Sequence, residues 1–521
     1  MEALNALTQE VDKWVSKYIC SYKPRPISSN KVIKDPVWGM TGLTPLEISI
    51  LDSPLLQRLR RIHQTGLVYL TYPAALHTRF DHSIGMLHCA TLIIDSINRK
   101  YKSSGKSIPF SDIEEQEIRL ASLLHDIGHT ALSHLTEGIF SNYSTIIRAK
   151  KELEERKGIR PKNHEFLSAV IVRTSSFLCM LDEAINVNHP PFIKDVASTV
   201  NHISDMIIGL PIDDKNDKAY ITDIVNGPYD ADRLDYTFRD SYFTGISLGT
   251  DAEKFIAGLS IEKVEIENTK KRRREIRDSI VLDANSVSSY DQLILSKVSL
   301  YSTVYNHQKV LATNQIIENI MKILIRDPKN HFIKNVNLEN PIDFLSLSDW
   351  DFLTGNTDSI DIEKLQKNIE RRNLPVRYVI LSRLSIENKD KKFPPDIIPY
   401  CEDPNKRENL RELICHDLGT PESGPDTITV GFPQFPQLNE LGDAYCKNYD
   451  GSIEPFNNLS PMNYFRNYSM YKWAGYIFGP YESLDEKRYD KICSILDDQL
   501  KIKLSSNAKP KIFLKGDTAW Q

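Results

Sequence analysis

The stretch from Leu120 to His134 (LASLLHDIGHTALSH) brings three histidines and an aspartate into an otherwise apolar segment: His125, Asp126, His129 and His134. Burying such groups is costly unless they find a partner. Neutral imidazole and carboxylate together are the ligands that hold a hydrolytic divalent metal. A lone core histidine is more often structural, but several beside an aspartate favour a metal site.

Two further stretches offer ligands of the same kinds. The sequence HTRFDH opens a predicted helix and ends in His82, which can supply another imidazole. Tyr229–Asp240 (YDADRLDYTFRD) is rich in aspartate. In a helix, Asp232, Asp235 and Tyr236 would share one side, so that one carboxylate can reach a metal. An acid-rich helix alone is usually a solvated face, and only the combination of H, HD and D is specific.

Apolar residues at three- and four-residue spacing predict the helices that position these groups. They run over Arg79–Ile97, Glu114–Leu135 and, as one long stretch, Ser286–Arg326. On a helix that continues to Leu135, His125 and His129 would lie on one face.

Strand patterns are fewer. Alternation on both sides of a basic run predicts a β-hairpin over Leu259–Asp283 with a long charged tip. The tip, KKRRR at 270–274, is flanked by acids, which favours a solvated loop over a nucleic-acid contact. Pro375–Leu384 is strand-like and Tyr464–Leu504 is mixed. The predicted fold is therefore mainly α, with a helical core, a small β-hairpin insertion and a mixed α+β C-terminal region.

Composition excludes several classes of protein. The net charge of −5 is too small to indicate a polyanionic partner. No apolar run approaches the roughly 18 residues that span a bilayer, and the N-terminus lacks the pattern of a secretory signal. Seven scattered cysteines without a CxxC pair fit a reducing compartment. These features predict a cytoplasmic protein without a membrane partner. No P-loop is present.

A second His-Asp pair lies in LICHDLGT at 413–420. Position 420 is a threonine, so the histidine four residues after His416 is missing, and no partner set surrounds the pair in the sequence. We interpret it as a chance occurrence without a metal.

Several longer motifs resemble those of a known family. They are DPVWG at 35–39, LDSPLLQRLRRIHQTG at 51–66, HTRFDHSIG at 77–85, LLHDIGHTALSH at 123–134, NHEFLSAVI at 163–171, DADRLDYTFRDSYFTGI at 230–246, VYNHQKV at 304–310 and IERRNLPVRYV at 369–379. The chain resembles the HD superfamily of metal-dependent phosphohydrolases, and within it the deoxynucleoside triphosphate (dNTP) triphosphohydrolases. The resemblance covers about residues 31–385. Its position implies an N-terminal extension (1–30) without a sterile-alpha-motif domain, an HD core (31–330) and a C-terminal region (331–521) for oligomerisation or regulation.

The resemblance implies a divalent metal, which would be Mn, Mg, Fe or Zn. Its ligands would be His82, His125, Asp126 and Asp232. The remaining catalytic group would comprise His134 as general acid, Glu137 beside it, and the supporting histidines His129 and His164.

The resemblance also implies residues for a dNTP substrate. Arg79, Arg233 and Lys297 would contact phosphates. Gln64, Tyr236 and Asp240 would hold the sugar and its 3′-hydroxyl, and Tyr305 would disfavour a 2′-hydroxyl.

Regulation in the family implies a GTP or dNTP effector bound between subunits of a homo-oligomer, a dimer or a tetramer. The matching positions here are Lys31, Val32, Asp52, Arg60 and Lys254.

The expected activity is metal-dependent hydrolysis of dNTPs at the α-phosphate, giving deoxynucleoside and tripolyphosphate. Two alternatives stay open at this point. One is an HD-type phosphodiesterase or nucleotidase that acts on other nucleotides. The other is a nucleotide-sensing or nucleic-acid-binding module with a vestigial metal site.

Overall fold

Helices make up most of the chain in the computed structural model, which confirms the mainly α fold class. The structure describes residues 2–213, 217–268, 273–329, 332–334, 336–337, 339–387, 393–435, 444–480 and 485–510. No single described helix is long and apolar enough to cross a membrane, although the bent pair Asn163–Val172 and Ser175–Asn188 passes that test together by length and composition.

The helices up to residue 326 surround the residues of chemical interest. They are α1 (Glu2–Ile19), α2 (Pro45–Leu51), α3 (Pro54–Gln57), α4 (Arg79–Ser103), α5 (Asp112–Leu124), α6 (Gly138–Ser141), α7 (Ser144–Lys157), α8 (Asn163–Val172), α9 (Ser175–Asn188), α10 (Val196–Ile207), α11 (Ala219–Val225), α12 (Ala231–Thr244), α13 (Ala252–Ala257), α14 (Val287–Leu300) and α15 (Gln308–Arg326). The later helices are α16 (Asp349–Thr354), α17 (Ile360–Glu370), α18 (Ile398–Glu402), α19 (Pro404–Leu418), α20 (Phe456–Leu459), α21 (Met462–Lys472) and α22 (Glu486–Leu500).

The strands form small sheets. They are β1 (Lys31–Asp35), β2 (Gly39–Leu43), β3 (Leu259–Asn268), β4 (Arg273–Asp283), β5 (Phe332–Ile333), β6 (Val336–Asn337), β7 (Val376–Ser382), β8 (Ile386–Glu387), β9 (Thr429–Gly431), β10 (Tyr445–Lys447), β11 (Ile453–Pro455), β12 (Ala474–Gly479) and β13 (Lys503–Leu504). Their sheet orders are β1-β2, β11-β10-β4-β3, β7-β12-β9, β13-β8 and β5-β6. The pair β3–β4 confirms the predicted hairpin. Residues 270–272 of its predicted basic tip lie outside the described residues, and positions 273 and 274 begin β4.

The predicted helix over Glu114–Leu135 is wrong in its second half. Helix α5 ends at Leu124, and residues 125–132 form successive turns. A side chain at Gly128 would meet the backbone of α8, with a Cβ only 2.3 Å from the carbonyl oxygen of His164. The chain packs closely against α8 at Gly128, and residues 125–132 turn instead of continuing α5. His125 and His129 do not share a helix face, and through those turns each lies near Asp126 Oδ1, at 3.3 and 3.4 Å.

The predicted long helix over Ser286–Arg326 is also wrong, because it is broken in the middle. A π-helical turn follows α14 over Tyr301–Tyr305, and α15 begins only at Gln308. His307 caps α15 with its ring, which accepts a hydrogen bond from the amide of Lys309. Such single π-turns are frequent at functional sites, and this one carries Tyr305.

Two hydrophobic clusters account for most of the buried apolar side chains. The first covers residues 7–369 together with 444–465, and the second covers 378–432 together with 473–508. The domain division near residue 330 stays a prediction. We propose that the smaller unit centres on the second cluster, since the segment just after residue 330 packs into the first.

Candidate active site

Two helix starts place the first pair of candidate ligands. Thr78 and Asp81 form a capping box at the start of α4, which leaves His82 in its first turn. Asp230 caps α12 by accepting a hydrogen bond from the amide of Arg233 at 2.7 Å, which leaves Asp232 in the first turn of that helix. The caps fix where each helix begins and therefore where both side chains lie.

The Nε2 atom of His82 is the centre of a cluster of the four predicted metal ligands. It lies 3.0 Å from Asp232 Oδ1, 3.2 Å from His125 Nε2 and 3.8 Å from Asp126 Oδ2. His125 Nε2 and Asp232 Oδ1 are 4.0 Å apart. The structure thus brings together side chains from α4, the end of α5 and α12.

The cluster of His82, His125 and Asp232 could hold a metal ion. A triangle with sides of 3.0, 3.2 and 4.0 Å has a point about 2.0 Å from all three corners, which is a usual metal–ligand bond length. Imidazole and carboxylate donors suit a first-row divalent cation. The residues present therefore fit such an ion, and they do not specify which one.

The charge balance around His82 shows how strongly the site attracts a cation. Burial alone would lower the pKa of His82, but hydrogen bonds to Asp232 and Asp235 outweigh it and raise the pKa to about 10. Burial lowers the pKa of His125. Asp232 and Asp235 thus stabilise a proton on the His82 ring. A divalent cation would displace that proton and bind in its place.

Asp126 is held by a buried arginine. Arg79 Nη1 lies 2.5 Å from Asp126 Oδ2, and Arg79 Nε donates to Ser133 Oγ at 2.8 Å. Burial by itself raises the pKa of Asp126. The charge of Arg79 and the neighbouring imidazoles outweigh burial and keep this pKa well below its usual range. Its other oxygen, Oδ1, lies 3.3 Å from His125 Nε2, so that Asp126 spans the arginine and the cluster.

A second group of side chains gathers around Glu137. Its Oε1 atom lies 2.9 Å from His134 Nδ1, 2.9 Å from His164 Nδ1 and 3.1 Å from His129 Nδ1. The rings of His129 and His164 stack with centroids 4.0 Å apart. Burial by itself raises the pKa of Glu137, but the neighbouring histidines hold this pKa well below its usual range.

Within this Glu137 group the histidines differ in exposure. The side chain of His134 is 64% exposed, whereas that of His129 is fully buried. Burial and the charge of Arg79 lower the pKa of His129 to about 3. His129 is therefore closed off from solvent, whereas His134 has the most exposed side chain of the three histidines.

One cavity of about 1160 Å³ joins these groups. All seven residues predicted to contact the substrate line it: Gln64, Arg79, Arg233, Tyr236, Asp240, Lys297 and Tyr305. His125, Asp126, His134 and Asp232 line it as well. The volume exceeds the usual range of about 300–1,000 Å³ for small-ligand sites, so a nucleotide triphosphate can fit.

The sugar-binding candidates form a polar wall of this cavity. Asp240 accepts a hydrogen bond from the hydroxyl of Tyr305, and its other oxygen lies 2.7 Å from His77 Nε2. Gln64 Oε1 is buried and has no hydrogen-bond partner among the described residues. A buried, unpaired acceptor is costly, and a ligand hydroxyl would satisfy it.

The cationic candidates lie on three elements. Arg79 is on α4, Lys297 on α14 and Arg233 on α12. Arg233 donates to the carbonyl of Pro228 and to Tyr290 Oη, the latter at 3.3 Å. These contacts hold the guanidinium at the cavity wall.

The five effector-site candidates are exposed and lie on several elements. Lys31 and Val32 lie on β1, and Asp52 and Arg60 follow α2 and α3. Lys254 lies on α13. Arg60 stacks over Phe80 with its guanidinium carbon 3.5 Å from the ring centroid. Their role as an effector site stays a prediction.

Sequence reasoning allowed an aspartate of this helix to pair with Arg239, but it gave the residues behind the metal cluster no role. Asp235 lies 2.7 Å from His82 Nδ1 and is bound by Arg239 and by the indole of Trp38. Asp235 and Arg239 are four residues apart in DRLDYTFRD, which was a usable signal for an ion pair. Trp38 is 197 residues from Asp235, and no local pattern points to that contact.

The HD-domain profile matches residues 79–237, which contain all four clustered ligands. This part of the chain is similar to an HD domain. This agrees with the arrangement of H on α4, HD at the end of α5 and D on α12.

Similarity to individual proteins extends beyond the HD domain. An uncharacterized protein of Methanocaldococcus jannaschii is 26% identical over 90% of this chain and 84% of its own length. The deoxynucleoside triphosphate triphosphohydrolase SAMHD1 homolog of Dictyostelium discoideum is 28% identical over 66% of this chain. The human deoxynucleoside triphosphate triphosphohydrolase SAMHD1 is 26% identical over 58% of this chain. The chain spans only 59% and 44% of the lengths of these two enzymes.

Proposed function

We propose that this HD-domain protein hydrolyses dNTPs at the α-phosphate and releases deoxynucleoside and tripolyphosphate. The observation that carries the proposal is the single cavity lined by metal-binding side chains, an exposed histidine and three cations. The relatives named as dNTP triphosphohydrolases support the choice of substrate.

Charge neutralisation is the first requirement of the reaction. His82, His125, Asp126 and Asp232 would hold the divalent cation, which when bound polarises phosphoryl oxygens and lowers the pKa of water. Arg233 and Lys297 line the cavity and would neutralise the polyphosphate. Arg79 would contribute at the α-phosphate while it holds Asp126. Lysine lacks the bidentate geometry of arginine, so Lys297 would bind as a point charge.

Proton delivery is the second requirement. Water attacks the α-phosphorus, a new P–O bond forms, and the bond from phosphorus to the 5′-oxygen breaks. That leaving oxygen takes a proton from His134 Nε2. Glu137 is placed to orient the ring, because it lies 2.9 Å from Nδ1, and His134 lines the cavity. Histidine suits this role near neutral pH.

Sugar recognition decides between deoxynucleotides and other substrates. Asp240 or the unpaired Gln64 Oε1 would accept the one hydrogen bond that the 3′-hydroxyl can donate, with Tyr236 beside them. Tyr305 is tied to Asp240 by its own hydroxyl, which would hold its ring where a 2′-hydroxyl would lie. These contacts favour dNTPs over the substrates of an HD-type phosphodiesterase.

Regulation is a further part of the proposal. Lys31, Val32, Asp52, Arg60 and Lys254 would form a nucleotide effector site between subunits of a homo-oligomer. Hydrolysis of one dNTP only after GTP or a second dNTP is added, together with a larger species in light scattering, would support it. Full activity with one nucleotide would contradict it.

The test is product analysis with purified protein and each dNTP and NTP, singly and mixed, with Mn²⁺ or Mg²⁺. We expect deoxynucleoside and tripolyphosphate, with NTPs hydrolysed far more slowly. Monophosphate and pyrophosphate would contradict the reaction and favour another HD-type hydrolase. Tight nucleotide binding without turnover would favour the sensing module.

A further inference from the structure

A buried carboxylate behind the metal cluster sets the orientation of one ligand. We propose that Asp235, held by Arg239 and by Trp38 of the β1–β2 hairpin, is a positioning residue that fixes the His82 ring for metal binding. This rests on the metal-dependent function proposed above. Asp235 itself would touch neither metal nor substrate.

The two nitrogens of His82 face different partners. Nε2 points to Asp232 and His125, at 3.0 and 3.2 Å, whereas Nδ1 lies 2.7 Å from Asp235 Oδ2. The His82 side chain is 1% exposed, so bulk water cannot take the place of either hydrogen-bond partner. A hydrogen on Nδ1 directed at Asp235 leaves the Nε2 lone pair for a metal and fixes the ring plane.

Asp235 is in turn held on both oxygens. Arg239 donates from Nε to Oδ2 and from Nη2 to Oδ1, each at 2.9 Å. The indole nitrogen of Trp38 donates to Oδ1 at 2.5 Å. The arginine supplies a planar fork, which gives geometric specificity as well as energy. The carboxylate therefore cannot turn away from His82 without breaking several hydrogen bonds.

The backbone of α4 closes the other side of this network. A Cβ at Gly85 would lie 2.0 Å from Asp235 Oδ1 and 2.1 Å from Arg239 Nη2. Gly85 is three residues after His82, on the same face of the helix. The carboxylate and guanidinium therefore pack directly on the turn of helix that carries the ligand.

The hairpin is attached by a second contact. Asp35 Oδ1 accepts hydrogen bonds from the amides of Val37 and Trp38 at 2.8 and 2.9 Å, and its Oδ2 lies 2.9 Å from Arg239 Nη1. The Trp38 ring also packs on Phe238, with centroids 5.3 Å apart. The turn between β1 and β2 thus presents the indole N–H to Asp235 in a fixed position.

The test measures binding of Mn²⁺ alone to the metal-free full chain, by calorimetry and by electron paramagnetic resonance. We expect D235N to weaken binding by about 10- to 100-fold, as loss of a ligand's supporting partner typically does. W38F keeps the packing and removes one hydrogen bond, so we expect about 3- to 10-fold weaker binding. Excess Mn²⁺ should restore the turnover of W38F.

The matched control is W14F. The indole nitrogen of Trp14 donates to Ser346 Oγ at 2.8 Å, so W14F removes the same kind of hydrogen bond at a site outside the network of Asp235. We expect unchanged Mn²⁺ affinity. Thermal unfolding of every variant reports folding, and W38F against W14F decides the question even where D235N does not fold.

Different results would contradict the positioning role and the metal centre. Wild-type affinity in W38F, or equal losses in W38F and W14F, would remove the positioning role. Wild-type affinity in a folded D235N would do the same. Failure of the wild-type chain to bind Mn²⁺ would overturn the metal centre and the proposed function with it.

Discussion

The chain contains the dipeptide His-Asp in two places with opposite surroundings. His125–Asp126 closes α5 in the interior, where imidazole and carboxylate atoms from α4 and α12 lie within 4 Å of it. His416–Asp417 lies on the exposed side of α19, and Lys491 lies 3.8 Å from the Asp417 carboxylate. The same two side chains meet a converging cluster in one place and solvent in the other.

This difference shows where a metal site comes from. A dipeptide supplies two donors, but burial without water requires further partners from other elements. The capped starts of α4 and α12 bring those partners to His125. In the described part of the chain, no cluster of metal-ligand side chains includes His416 or Asp417. The surroundings therefore decide the chemistry.

The largest expected effect is in the matched pair H125A and H416A. H125A removes a cluster ligand, so Mn²⁺ binding should be lost and turnover should fall by more than about 10²-fold, since even supporting residues cost about 10–100-fold. H416A should behave as the wild type in both measurements. Calorimetry with Mn²⁺ and a product assay check this. Equal losses in the two variants would mean that neither pair is the metal site.

The next effect separates proton delivery from metal binding. H134A should lower kcat by about 10²- to 10⁴-fold, as loss of a general acid does. Mn²⁺ affinity should stay near that of the wild type, because the His134 side chain contacts Glu137 and not the cluster ligands. H416A again serves as the control for removing an exposed imidazole. Unchanged kcat in H134A would exclude His134 from the mechanism.

A smaller effect concerns the sugar. Y305F removes the hydroxyl that binds Asp240, so the ratio of kcat/KM for a dNTP to that for the matching NTP should fall by about 10-fold. Y72F is the matched control, since the Tyr72 hydroxyl donates to the carbonyl of Thr303 at 2.7 Å. A fall in Y72F of the same size would contradict the assignment of Tyr305.

The smallest effect comes from a histidine–carboxylate pair outside the cavity. His202 Nδ1 lies 2.9 Å from Glu117 Oε2, and this hydrogen bond raises the pKa of His202. Stabilisation by the pair is therefore complete below the unfolded pKa of about 6.5 and is lost as pH rises through the higher folded pKa.

H202N should accordingly lower the thermal midpoint most under mildly acidic conditions. The difference from the wild type, worth about 1 kcal/mol for a pair with a partly exposed histidine, should shrink as pH rises above the folded pKa. Thermal unfolding of both proteins across the pH range measures it. A difference that does not change with pH would show that His202 acts through packing and not through charge.

The sequence predicted what depends on local pattern. Helix periodicity located α4, alternation located β3–β4, and the types and spacing of His82, His125, Asp126 and Asp232 pointed to one site. The structure brings these four side chains together. Their roles, and those of the substrate residues, stay proposals.

Long-range packing explains what the sequence did not reveal. Apolar spacing continues beyond Leu124 because the turns there are buried, so periodicity alone could not show that α5 ends. The backbone at Leu132 and Ser133 adopts φ values of 60° and 55°, which no local preference of these residues predicts. The contact of Trp38 with Asp235 joins residues far apart in the chain, and only the assembled fold defines it.

The central claim is that water attacks the α-phosphorus of a dNTP at this metal cluster. Turnover of one dNTP with Mn²⁺ in water enriched in heavy oxygen tests it most directly, with mass spectrometry of the products and H125A as the inactive control. We predict one labelled oxygen in tripolyphosphate and none in the deoxynucleoside. Label in a monophosphate or in pyrophosphate, or unlabelled tripolyphosphate beside a labelled deoxynucleoside, would contradict the claim.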